Sequence, residues 1–437
     1  MEEIIIKNLK IQTETISNTN TNTNTNTNTE ISETEPNSIT NIYSYLSDKN
    51  VKIYDSTLDI YNIVNQYLER KQGDESFVII DLGEIIRQFN KWKKLLPRIT
   101  PFYAIKCNPD PIIIGLLNKL GCCFDTASKN EILKVIELNV SPENIVFANP
   151  CKPVDFIKFA RSNDVDLLVV DSIYELHKIK LYHPDAQILI RIQTDDSKSR
   201  CRFNSKFGVS LDEVEGIIQI AKQFGICIKG VSFHVGSGCE DASVFRTALS
   251  DCKKVCEIAK KYNIDIELID IGGGFPGKDD VKVTFEAMGE VINASIDELF
   301  GDDSNIKFIA EPGRYFVTSS HTLVVSIINK KELTEKETGV KKNVYYISEG
   351  VYGTFSGVIY DYAKYELLPF NERNEKTFPS IVWGPSCDSM DKVSQDCLLP
   401  NLAIGESIII KNIGAYSVAS ATEFNGFPLP NIYYIIT

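Results

Sequence analysis

Positive charge is scarce in this 437-residue chain: 46 Lys and Arg stand against 59 Asp and Glu, a formal net charge of −13. Such a chain repels phosphate backbones, which argues against general nucleic-acid binding. No apolar run approaches the ~18 residues a bilayer span needs, so no membrane association is expected. The first ten residues alternate charge and isoleucine and lack the apolar stretch of a secretory signal. Cysteine is not scarce, but the eleven thiols form no Cys-x-x-Cys pair and their number is odd. A disulfide framework or zinc ribbon is therefore not expected, no metal is expected, and scattered thiols without a signal sequence point to the cytoplasm.

The remainder is ordinary globular composition, 43% hydrophobic and 24% charged, enough to bury a sizeable core. The length suggests two or three domains. Residues 17–29 alternate Asn and Thr and cannot bury apolar area, so residues 1–40 are expected to be a disordered tail.

Beyond residue 80 short runs rich in Val, Ile and Phe alternate with helical periodicity. Eight such runs occur: 102–106, 123–127, 145–149, 167–171, 188–192, 231–235, 268–272 and 308–312. Between them 110–121, 129–139, 153–163 and 213–225 carry apolar residues at helical spacing. This alternation predicts parallel pairing and a closed (β/α)8 barrel over residues 81–320, with an open doubly wound sheet as the alternative. After residue 320 the pattern changes to strands at 322–331, 343–348, 380–384, 406–413 and 431–436 separated by turns. These predict an all-β domain of Greek-key barrel or sandwich type over 321–437, joined by an N-terminal segment, 41–80.

The predicted barrel strands end in residues suited to chemistry: Lys106, Asp125, Asn149, Asp171, Arg191, His234, Gly272 to Gly274 and Glu311. Active sites of such barrels lie at the C-terminal strand ends. Taken singly, each has a bland explanation: an exposed lysine, a tight turn, a structural Glu–Arg pair, a core histidine. Together they read otherwise. A lysine desolvated at a barrel mouth keeps some free amine able to attack a carbonyl, as a Schiff-base lysine must. The glycine run in LIDIGGGFPG lets backbone N–H groups close on a phosphate. Glu311 in FIAEPGRYF can hold a pyridinium nitrogen protonated, and Arg314 can grip a phosphate. In the β domain, WGPSCDSMD sets the Cys387 thiol and Asp388 in a small-residue loop, where a thiol can donate a proton.

The stretches PFYAIKCN, FDTASKNE, RIQTDDSKSRCRFNSKFG, SFHVGSGC, DIGGGFPG, EPGRYF, GVYGTF, YDY, WGPSCDSMD and GAYSVASATEFNGF occur in family-like order. Over roughly residues 40–437 the chain resembles the fold-type III pyridoxal-phosphate decarboxylases, specifically the eukaryotic ornithine decarboxylases. The resemblance implies pyridoxal 5'-phosphate as cofactor, L-ornithine as substrate, and putrescine and CO2 as products. It implies Lys106 as the Schiff-base lysine and His234 as the ring stacked on the cofactor. Ser237, Gly274, Glu311, Pro312, Gly313, Arg314 and Tyr416 would bind cofactor, with Glu311 on the pyridine nitrogen, and Asp125 and Arg191 would support it. Tyr360, Asp361 and Asp388 would bind substrate, and Cys387 would return a proton to the carbon that lost CO2. The family is an obligate homodimer whose Cys387–Asp388 loop enters the partner's site. It leaves antizyme binding open, since Lys158 and Lys178 lie in the matching region. The Asn/Thr tail and the paired Cys122–Cys123 depart from the family pattern, and a long C-terminal extension found in some relatives is not expected. Lysine, diaminopimelate or arginine decarboxylation on the same scaffold, and a non-catalytic protein resembling the antizyme inhibitors, are the competing readings.

Overall fold

A computed structural model describes residue 42 and residues 44–437 except 72, 302–304, 335–338, 372 and 374. The predicted tail lies outside the described residues. The chain divides into two units, one of Gln88–Phe316 and one of the segments to Arg87 and from Val317.

The first unit is the barrel. Its strands are β1 (Ile99–Ala104), β2 (Cys123–Thr126), β3 (Ile145–Phe147), β4 (Leu167–Val170), β5 (Gln187–Arg191), β6 (Cys227–Ser232), β7 (Leu268–Asp270) and β8 (Lys307–Ala310). All pair in parallel, and β8 closes on β1 through Phe308↔Ile99 and Ala310↔Pro101. Closure removes the open-sheet alternative. The expected strands are all present, but pairing stops one to three residues earlier than the apolar runs do. Lys106 thus sits in a single turn, Ile105–Cys107, beyond β1.

Local chemistry starts the helices between strands. Asp110, Ser128 and Thr284 accept backbone N–H groups at the N-termini of Pro111–Leu120, Lys129–Glu137 and Phe285–Phe300, each cap contributing about 1 kcal/mol. Inside the barrel Phe102, Cys123, Val146, Val169, Leu189, Leu268 and Ile309 pack on one another. Outside it, Trp92 is fully buried among Phe275, Phe285, Tyr315 and Phe316, and its indole N–H donates to the Ile99 carbonyl at 2.9 Å.

The second unit is one hydrogen-bonded sheet of nine strands. Its spine is His321–Thr334, which pairs antiparallel with Phe77–Asp81 and Ser407–Lys411 along its first half. Beyond an irregularity between Ile327 and Asn329 it pairs with Lys341–Ile347. Lys392–Leu399, absent from the sequence reading, pairs with Phe378–Trp383; its three exposed residues, Gln395, Asp396 and Leu398, hid the alternation. Helix Ile60–Leu68 buries Ile63, Val64 and Tyr67 against Phe77, Ile79, Val324 and Ile435. No helix among the described residues is long and apolar enough to cross a membrane.

Candidate active site

The register of β1 on β2 sets Ala104 opposite Asp125. Two residues on, the Lys106 ammonium reaches back to Asp125, Nζ to Oδ2 2.6 Å; its side chain is 38% exposed, not desolvated as the sequence suggests. Asp125 is buried, and its Oδ1 has no hydrogen-bond partner. Asp270 closes β7, fully buried; its Oδ1 accepts the Gly272 N–H at 2.9 Å and its Oδ2 has no partner. Glu311 follows β8 and donates its N–H to the Gly272 carbonyl at 2.7 Å.

These carboxyls interact. Burial pushes Glu311 well above the usual carboxylate range, Asp270 and Asp125 add to it, and Lys106 and Arg191 oppose it. Burial likewise pushes Asp270 up. Arg191 ends β5 with its guanidinium 5.1 Å from the Phe207 ring. Burial works against its charge, while Glu311, Asp171, Asp270 and Asp125 support it. Burial, then Arg191 and Lys106, pull His234 well below its ordinary value. The imidazole is therefore neutral at pH 7, and the Gly236 N–H donating to Nδ1 at 3.0 Å leaves the ring proton on Nε2.

The glycine run is needed where it stands. Gly272 has φ +63° and a Cβ there would meet the Phe233 carbonyl at 2.3 Å; Gly274 has φ +108° and its Cβ would lie 2.8 Å from the Gly236 carbonyl. Only glycine allows these backbones to approach. Ser237 begins a short strand, Ser237–Cys239, paired with Ser199–Cys201. Arg314 Nη2 donates to Ser237 Oγ at 2.9 Å, so a cation and a hydroxyl adjoin. The Pro312 carbonyl accepts the Ala104 N–H at 3.2 Å, and Gly313 sits against Cys107 with no room for a Cβ. This turn ties the end of β8 to the end of β1.

Asn149 and Asp171, also read at strand ends, serve their loops: Asn149 Oδ1 accepts the Cys151 N–H at 3.1 Å and Asp171 the Gly208 N–H at 2.9 Å. Lys178 is bonded inward, to Glu175 at 2.7 Å and to the Lys152 carbonyl at 2.6 Å. Lys158 lies 4.8 Å from the Tyr182 ring.

In the β unit, Cys387 is exposed and its N–H donates to Asn425 Oδ1 at 3.0 Å. Asp388 accepts the Tyr352 hydroxyl at 2.5 Å. That bond, with the Met390 N–H, holds Asp388 below the usual carboxylate range and pushes Tyr352 up to about 12. Buried Asp391 anchors the loop by accepting the Val351 and Ser386 N–H groups at 2.8 and 2.9 Å. Asp361 is buried at the end of the turn Gly357–Tyr360, whose Tyr360 is exposed. Tyr416 is half-buried with φ +52°.

Sequence reasoning passed over Asp270, Tyr352 and Asp391. Asp270 lies in the quoted LIDIG and Tyr352 in GVYGTF, so the signal was a polar residue within an already notable motif.

The barrel residues fit pyridoxal phosphate. Asp125 Oδ1 and Asp270 Oδ2 are buried and unsatisfied, the glycines leave a cradle that a side chain would fill, and Arg314 with Ser237 offers donors for a dianion. The family described as pyridoxal-dependent decarboxylase, pyridoxal binding domain, matches residues 82–318. Ornithine decarboxylase of Rattus norvegicus is 44% identical over 83% of this chain and 81% of its own. Antizyme inhibitor 2 of Xenopus laevis is 40% identical over 85% and 83%. Among solved structures, the arginine decarboxylase of Paramecium bursaria Chlorella virus superposes with a TM-score of 0.81 at 32% identity, covering 86% of this chain and all of that one. Over most of its length, then, in sequence as in the barrel that carries the lysine and its buried carboxyls, this chain belongs to the fold-type III pyridoxal-dependent decarboxylases.

Proposed function

We propose that this chain decarboxylates L-ornithine to putrescine and CO2, the first step of polyamine biosynthesis, using pyridoxal 5'-phosphate. The observation that carries the reading is the 2.6 Å contact of Lys106 with buried Asp125, one of a group of buried carboxyls that includes Glu311. A non-catalytic relative has no need of it, and the similarity to ornithine decarboxylases supports the substrate.

Bound in the barrel, the cofactor supplies an electron sink for the pair left behind by CO2. Lys106 would hold it covalently, and Asp125 steadies the lysine ammonium when the amine is free. Glu311 would hold the ring nitrogen of the cofactor, since burial favours a shared proton there over a bare carboxylate. Arg191 keeps the buried acids from repelling one another. His234 presents an uncharged ring for stacking, because a neutral imidazole adds no charge beside Arg191 and Lys106. Ser237, Gly274, Pro312, Gly313, Arg314 and Tyr416 form the phosphate-binding set. Asp361 and Asp388, with Tyr360, pair the distal ammonium of the substrate; a buried cation binds only where its charge is matched. The Cys387 thiol returns a proton to the α-carbon.

Asp388 and the Cys387 thiol come from the partner subunit, so the working unit is a homodimer. Support comes from the exposure of Cys387 and of bulky residues of the same unit, Met390 at 60% and Tyr360 at 69%, surface suited to burial against another chain.

CO2 release from ornithine, lysine, arginine and diaminopimelate, with and without added pyridoxal phosphate, tests the substrate. Ornithine should be preferred; a preference for another of the four, or no release with cofactor present, overturns the reading. Mixing Lys106→Ala and Cys387→Ala chains tests the shared site. Half of the dimers are mixed and each has one intact site, so putrescine formation should return to about a quarter of wild type. No gain, with subunit exchange shown separately, removes the partner subunit's Cys387 from the chemistry.

A further inference from the structure

The β unit holds a cavity of about 320 Å³ whose lining none of the catalytic residues share. Its floor and walls are Tyr67, Phe77 and Tyr433, and its rim carries Lys52, Arg70 and Lys71. Among the lining residues Glu75 is the one acid, so the pocket carries a net charge of about +2 in a chain of net charge −13. Positive potential confined to one concave spot of an acidic protein concentrates anions there.

The three cations are not accounted for by their neighbours. Among the described residues no carboxylate lies within 4.0 Å of any of them. Lys52 Nζ stands over the Tyr67 ring at 4.4 Å, and the Lys71 ammonium donates to the Ser326 hydroxyl. Burial lowers both ammonium pKa values, with Arg70 adding to the effect on Lys52 and Asp74 and Glu75 opposing it at Lys71. Capping of helix Ile60–Leu68 does not explain them either. The carbonyls of Asn65, Tyr67 and Leu68 already accept the backbone N–H groups of Glu69, Arg70 and Lys71. Glu75, for its part, accepts from Asn431 Nδ2 at 3.2 Å.

The walls describe the rest of the ligand. The Tyr433 ring is 38% exposed and braced by Tyr67 at 4.5 Å and Phe77 at 5.9 Å. A rigid, half-open aromatic face beside three cations suits a flat body attached to a dianion. The volume is at the small end of ligand pockets. We propose that this pocket binds a small phosphate monoester with a planar body, of the size of a nucleoside monophosphate, with the phosphate on Lys52, Arg70 and Lys71 and the plane against Tyr433.

Titration calorimetry on the holoenzyme, its cofactor in place, tests this with adenosine monophosphate, inorganic phosphate and adenosine as probes. The monophosphate should bind saturably, more tightly than phosphate, and adenosine should show no saturable heat. Lys71→Gln should weaken the monophosphate roughly tenfold, as loss of a partly buried charged donor does. Arg70→Gln, at an exposed position, should weaken it roughly threefold. Tyr433→Ala should weaken the monophosphate and leave inorganic phosphate unchanged. Decarboxylation with saturating cofactor should stay at the wild-type rate in all three, which also reports folding. Should Lys71→Gln misfold through loss of the Ser326 contact, Lys52→Gln takes its place with the same expectation. Unchanged monophosphate affinity in the charge variants, adenosine binding as well as the monophosphate, or equal loss of both anions in Tyr433→Ala overturns the proposal.

Discussion

Lys152→Met probes how the barrel mouth tolerates buried charge. The Lys152 side chain is fully buried, and its ammonium has three acceptors for its three protons. They are the Asn149 carbonyl at 2.9 Å, the Val169 carbonyl at 2.6 Å and Glu175 Oε1 at 3.1 Å. Asn149 follows β3, Val169 belongs to β4 and Glu175 to helix Ile173–Tyr182, so one amine joins three elements. Burial pulls the ammonium down to about 8, with Glu175 opposing, so it stays charged at pH 7. The downward direction means that the charged pair gains less from folding than the ions lose by leaving water. Breaking the pair is a different matter. Methionine fills similar volume but leaves two carbonyls and a carboxylate short of a donor, which should cost about 4 kcal/mol. In a unit of this size that lowers Tm by roughly 8–16 °C. Lys178 also touches Glu175, but it is 30% exposed, and Lys178→Ala should cost about 1 kcal/mol. The double variant Lys152→Met with Glu175→Leu should recover more than half of the single loss, because both ions then stay out of the interior. Urea and thermal unfolding followed by tryptophan fluorescence measure this, since Trp92 lies buried in the same unit. A Lys152→Met loss under about 1 kcal/mol, or a double variant whose losses add, would refute the reasoning.

Lys106→Ala should abolish activity and the borohydride-reducible cofactor link, and peptide mapping after reduction of the wild type should find label on Lys106 alone. Tyr352→Phe removes the hydroxyl held at 2.5 Å by Asp388; because that carboxylate is proposed to pair the substrate ammonium, KM for ornithine should change more than kcat, with steady-state kinetics as the measure. Burial pulls His321 from 6.5 down to about 4. Between those values the unfolded chain binds a proton that the folded chain refuses, so stability present above pH 6.5 falls by up to about 3 kcal/mol toward pH 4. His321→Gln should flatten that part of the pH profile in urea titrations.

Much of the barrel was legible because each strand is a short apolar run closed by a polar residue, and the intervening helices announce themselves by period and by Asp, Ser or Thr caps. Lys392–Leu399 was not, since three of its side chains, Gln395, Asp396 and Leu398, face water and break the alternation. The Lys152–Glu175 pair was equally hidden. The two residues are 23 apart in sequence, and nothing in PCKP distinguishes a fully buried lysine from a solvated one. Burial of an ion is decided by where β3 and β4 end, a property of the closed barrel and not of either segment alone.

The site itself depends on register more than on composition. Ala104 pairs with Asp125, and Asp125 with Val146; a slip of one residue in β2 would turn the Asp125 carboxyl from the Lys106 side to the opposite face of the sheet. Closure forbids such a slip, because every strand of the ring is fixed by two neighbours and β8 is locked to β1. That constraint explains how Asp125, Asp270 and Glu311 can be held so deep. Three acids buried this close repel one another and favour a shared proton, and they would move apart or reach water if they could. Held by the ladder, they are balanced by Lys106 and Arg191, and the barrel's packing opposes the charge separation that would otherwise scatter them. The glycine run then lets the backbone close over the same place. Rigid pairing below and permissive backbone above are thus two halves of one requirement: charges fixed by strands, with room for a planar cofactor among them.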